Sequence, residues 1–200
     1  MAPHSLWLFV LITTVIHPHW AAQGKDDQTR RRSGRPWVFM ASNFIYLNMT
    51  TLGIPEVRCT RAKATKRNFH ARNFSQLLEV TRSDGARSYK NVDFEPIWRD
   101  AKHSAVRGFT SFDSTTGENT TYTFDYTMRD CAVIYMEKWN KTRGAQSEHW
   151  ELWVNDTFQR NTEGKSFCNI KYQEVSKSSH SNQYTRQDCE YRTYKEILLA

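Results

Sequence analysis

Asp130-Cys131-Ala132-Val133-Ile134-Tyr135, then after a polar gap Trp150-Glu151-Leu152-Trp153-Val154 and a further Cys168, is the stretch that decides the fold. Both apolar runs have strand length and are rich in β-branched and aromatic residues, so they predict two neighbouring β-strands. Side chains along a strand point to alternate sides. Cys131, Val133 and Tyr135 therefore share one face, and Ala132, Ile134 and Met136 share the other. By the same alternation Glu151 and Trp153 lie together, opposite Trp150 and Leu152. An acid set between two tryptophans is either a solvent-facing residue paired with a lysine or an internal anchor for a cation.

Working outward, short runs of aromatic and β-branched residues recur between turn residues. A helical turn from Trp37 to Ser42 precedes strands at Phe44–Thr50, Val57–Thr65, Asn73–Arg82, Ser88–Trp98, Val106–Phe112, Thr120–Thr127, Cys131–Lys138 and His149–Val154. Ser83-Asp84-Gly85-Ala86 and Asp113 to Gly117 are turn clusters between adjacent strands. Thr162 to Ser176 fits a helix and Tyr184 to Tyr191 a last extended segment. Eight strands joined as neighbours predict an up-and-down antiparallel barrel, just wide enough to enclose one small ligand. An open sandwich fits the same spacing.

The first 24 residues contain no Asp, Glu, Lys or Arg, and Ser5 to Ile16 is mostly apolar. With small residues at Ala22 and Gly24, residues 1–24 read as a secretory signal peptide, too short in its apolar run for a membrane anchor. Residues 25–36, with five basic residues against Asp26 and Asp27, read as a flexible basic arm. Residues 37–200 then form a single domain. Four cysteines in an exported chain suggest two disulfides in one of three connectivities. Sequons at Asn48, Asn73, Asn119, Asn140 and Asn155 agree with export to the extracellular space, each marking a solvent-facing position if it is used. Of the net charge of +7 the arm carries +3, and the remainder is scattered, which fits a solvated basic surface or retention on acidic glycans rather than nucleic-acid binding.

A cysteine, an apolar strand, a gap, Glu-Leu-Trp and a further cysteine together resemble the salivary lipocalins of ticks, the histamine-binding protein family. Here these are Cys131, Val133-Ile134-Tyr135, Glu151-Leu152-Trp153 and Cys168. The resemblance spans most of the mature chain and is specific in its second half. It implies an all-β fold: an eight-stranded antiparallel up-and-down lipocalin barrel with a C-terminal helix packed outside. It also implies the bonds Cys59–Cys189 and Cys131–Cys168. With Cys131 bonded to that external helix, Ala132, Ile134 and Met136 face the cavity. Glu151 and Trp153 are placed inside, and Tyr122, Phe124 and Tyr126 are candidates for an aromatic inner wall. Tyr46 and Trp98 are further candidates for ligand contact, and Asp93 or Glu95 for a second carboxylate. There are departures. The usual lipocalin Gly-x-Trp signature is missing, with Gly34-Arg35-Pro36-Trp37 a poor echo. Amine-binding members have Cys-Asp-Val where this chain has Ala132, and Tyr122 and Thr50 stand near positions of two other acids.

The expected function is a secreted, monomeric trap for a small host inflammatory mediator, with a biogenic amine such as histamine leading, in evasion of host immunity. Glu151 would pair with the ammonium, and the rings would add cation–π attraction of roughly 0.5–2 kcal/mol each. A fatty-acid-derived mediator such as a leukotriene is the alternative ligand, with Arg107 or Arg129 at the mouth. A protein-binding inhibitor of a host complement or clotting factor is the alternative class. No Ser–His–Asp, His-x-x-x-His or Cys-x-x-Cys arrangement is present, and His149 reads as isolated. Neither an enzyme nor a cofactor or metal site is expected.

Overall fold

A computed structural model describes residues 35–103, 105–140, 144–177 and 181–190. The expected leader and the basic arm as far as residue 34 lie outside them. The elements run helix α1 (Pro36–Met40), β1 (Phe44–Thr50), β2 (Val57–Arg67), β3 (Phe74–Arg82), β4 (Arg87–Trp98), β5 (Val106–Asp113), β6 (Glu118–Thr127), β7 (Cys131–Asn140), β8 (Ala145–Asn155), helix α2 (Thr162–Ser176) and a two-residue β9 (Asn182–Gln183). From β2 to β8 each strand pairs antiparallel with the next, and β1 pairs with both β8 and β2. The sheet therefore closes into the expected eight-stranded up-and-down barrel. Between β5 and β6, Asp113 Oδ1 accepts from the Thr115 and Thr116 amides at 2.8 and 3.2 Å, and Gly117 takes φ 68°. A side chain would be strained at that φ, which is why glycine ends the turn.

One end of the barrel is plugged. Trp37, Phe39 and Met40 of α1 are buried against Phe74, Phe94 and Phe109, whose rings stack or meet edge-on at 4.6–6.4 Å. Gln76 reaches from β3 and donates to the Met40 carbonyl at 2.6 Å, satisfying a helix-end acceptor inside the core. At Gly108 a Cβ would collide with the Tyr122 carbonyl oxygen, so glycine allows β5 and β6 to approach at this end. The other end, where β1 leaves the barrel and β2 enters it, is open.

A second core lies outside the barrel. Cys131 to Ile134 are buried on both faces because α2 covers the outer side of β7 and β8. Gly164, Cys168 and Tyr172 recur every fourth residue and form the buried stripe of α2. Asn161 caps the helix, accepting from the Gly164 amide at 3.0 Å and donating to Asp130 at 2.7 Å. Disulfides join Cys131 to Cys168 and Cys59 to Cys189, with Cα–Cα distances of 6.6 and 5.3 Å.

The last segment differs from expectation. Tyr184 to Tyr191 is not extended: residues 186–190 are helical, and Tyr191 lies outside the described residues. Local chemistry accounts for this. Thr185 donates to Asp188 three residues on at 2.6 Å, as at a helix start, and Arg186 pairs with Glu190 across one turn at 2.7 Å. Among the described residues no helix is long and apolar enough to cross a membrane.

Candidate functional site

Above the aromatic plug, the barrel holds a cavity of about 250 Å³ that opens at the unplugged end. Its walls are mainly apolar, with Ile45, Leu47, Leu78 and Val80 on one side and Tyr122, Ile134 and Met136 on the other. Glu151 lies on this wall at 5% exposure. Its two oxygens are held separately. Oε1 lies 3.1 Å from Nε2 of His149, and Oε2 accepts from the Trp153 indole at 2.6 Å. In a neutral ring this is the Nε2–H tautomer of His149, whose Nδ1 is buried without a hydrogen bond. Glu151 is thus a preoriented carboxyl group on an apolar and aromatic wall, with His149 as its one titratable partner.

The other charged groups of the lining sit at the mouth. Lys90 pairs with Asp113 at 2.5 Å, and Glu118 and Lys138 line the same end. The Lys90 ammonium, helped by the turn amides, holds the Asp113 carboxyl well below its usual range. Burial pushes the Tyr122 phenol up to about 12, with the Glu151 charge adding to the effect.

Of the residues singled out in the sequence, Glu151, Trp153, Tyr122 and Ile134 line this cavity. Phe124 and Ala132 face inward as the alternation requires, but they pack into the plugged core rather than border the void. Four others are elsewhere. Tyr46 points outward beneath the C-terminal segment, with the Arg186 guanidinium 5.4 Å from its ring. Trp98 ends β4 after a register shift and stacks on His103 at 4.8 Å. Asp93 and Glu95 line a shallow outer groove beside Lys66 and Arg67, because Val92 and Phe94 take the inner face of β4. Asp93 accepts instead from Ser75 at 2.5 Å. Tyr126 also leaves the inner face. A bulge between Phe124 and Tyr126 reverses the alternation and sets Tyr126 against Phe167 of α2 at 5.0 Å. Arg107 and Arg129 belong to the plugged end, and among the described residues Lys90 and Lys138 are the cations that line the cavity. His149 is buried and joined to Glu151 rather than isolated. The signal for it was present, since His149 stands two residues before Glu151 and so shares its face.

The family model for tick histamine binding protein matches residues 39–191. No curated protein matches the chain. Among solved structures, insecticyanin from the tobacco hornworm Manduca sexta superposes with a TM-score of 0.56 at 14% identity, covering 79% of this chain and 86% of that one. A triple mutant of bovine odorant binding protein gives 0.51 at 13% identity over 72% and 92%. Lobster apocrustacyanin A1 gives 0.50 at 10% identity over 73% and 77%. At these identities the likeness is one of fold, and the fold is the lipocalin barrel.

Proposed function

The chain belongs to the tick histamine-binding protein family, and on that premise we propose that it is a secreted trap for a small amine mediator of the host, histamine foremost. The family and its barrel are those of small-ligand carriers rather than enzymes. Such a trap works by stoichiometry: present in excess, it lowers the free mediator below what host receptors need, which serves immune evasion.

One observation carries the reading. Glu151 is buried in an apolar and aromatic cavity with a histidine and an indole as partners, not a lysine or arginine. Enclosing a charge in this way costs several kcal/mol unless a counter-ion arrives. An ammonium or imidazolium ligand supplies it, and Tyr122 and Trp153 offer ring faces to the same cation. Size points the same way, since about 250 Å³ is below the roughly 300–1,000 Å³ common for drug-sized ligands.

Isothermal titration with histamine and serotonin tests the proposal. Saturable one-to-one binding is expected for at least one amine. In Glu151→Gln it should weaken by about thirtyfold or more, the equivalent of losing about 2 kcal/mol or more from a buried charge pair. Absence of heat for both amines would remove this reading. A lipid carrier remains the second reading, because Lys138 at the mouth of an apolar cavity suits a fatty-acid carboxylate. Displacement of a fluorescent fatty acid, with no response to amines, would favour it.

A further inference from the structure

We propose that Asn119 is the residue of this chain that bears an N-linked glycan, and that two aromatic rings on neighbouring strands clamp its first sugar. The proposal rests on the reading that the chain is exported.

Asn119 is paired directly with Phe112 of β5 on one side and with Trp139 of β7 on the other. Directly opposed residues in antiparallel strands share a face. Here it is the outer one: Asp113, Glu118 and Lys138 alternate with these three toward the cavity mouth, and Phe112, although it borders the rim, is largely exposed. Asn119 is exposed, and the rings beside it are 63% and 46% exposed, unusual for large apolar side chains. A pyranose ring presents an apolar C–H face that lies well on the electron-rich face of an aromatic ring. A sugar rooted between Phe112 and Trp139 would cover both.

The other sequons are built into the fold. The Nδ2 atoms of Asn48, Asn140 and Asn155 donate to the carbonyls of Tyr184, Thr116 and Arg129 at 3.1, 2.9 and 2.8 Å. Asn73 is half-buried beside Glu95. A glycan on any of the first three would take one of the two Nδ2 hydrogens and crowd the carbonyl to which that amide donates. In the transfer itself, Asn119 Nδ2 forms a bond to the anomeric carbon of a lipid-diphosphate-linked oligosaccharide. The carbon–oxygen bond to the diphosphate breaks, and the amide loses one proton.

The test is secretion of the full chain from insect cells, once with residues 1–24 and once with a heterologous leader in their place, followed by glycopeptide mass spectrometry of the folded product. Asn119 should carry the glycan, Asn48, Asn73, Asn140 and Asn155 should be bare, and Asn119→Gln should remove that glycan. A secreted protein that is bare at Asn119 overturns the proposal. Failure of export with the native segment alone counts against the leader reading and leaves Asn119 to be judged on the second version. For the clamp, Phe112→Ala with Trp139→Ala should speed native-state removal of the glycan by a glycosidase several-fold. An unchanged rate would show that the rings do not hold it.

Discussion

Side chains in both cores are tuned by burial, and tyrosines report it, Tyr122 inside the barrel and Tyr172 on the buried stripe of α2. Tyr122 and Tyr172 are both pushed up to about 12, burial being the larger cause and the Glu151 charge a further one. An unfolded phenol titrates at 10.0. Folding therefore favours the neutral phenols, and their contribution to stability is complete below pH 10 and lost as the pH climbs through about 12. Urea unfolding across this range should show stability falling with pH, and Tyr122→Phe should flatten the fall. A flat profile in the parent protein would contradict the burial of these rings. The same scale shows what could be read in advance. Alternation put Ile134 with Ala132 and Glu151 with Trp153, and the resemblance set both pairs inward, where the structure has them. Asp93 and Glu95, offered as a second carboxylate, face outward because the apolar alternation of Val92 and Phe94 takes the inner side of β4. Ala132, where an Asp would be expected from the resemblance, sits fully buried in the core of the plug.

Elements were legible where their chemistry is local. The helix at Thr162–Ser176 and the strand at Phe44–Thr50 have the expected bounds. Features set by tertiary context were not. The bulge that turns Tyr126 outward has no proline or glycine to announce it, and the outer placement of Tyr46 depends on a C-terminal segment that packs there from far along the chain. The bridge between β7 and α2 closes a separation of 37 residues, for which the chain-entropy model gives about 4 kcal/mol. Replacing Cys131 and Cys168 together with alanine should lower stability by about that amount in denaturant unfolding, while the barrel persists in circular dichroism. An unchanged midpoint would mean that the helix is held by packing alone.

At the scale of the whole molecule, two cores divide the labour. The outer one, between α2 and the barrel, and the aromatic plug make a rigid cup; the space above the plug is left unfilled. That division was visible in the sequence only as a run, Cys131 to Tyr135, apolar on both faces. The depth of the cup was not visible, because it depends on how far rings from five different elements pile up from one end. With the inner end filled, Glu151 is the one carboxylate of the inner wall among the described residues, Asp113 and Glu118 standing at the mouth, and one ligand per chain is expected. The most direct measurement is a crystal structure of the protein grown with histamine. One amine should lie in the barrel with its cationic nitrogen against Glu151 and between the rings of Tyr122 and Trp153. A histamine bound only on the outer surface, or a cavity that stays free of it at saturating concentration, would contradict the account.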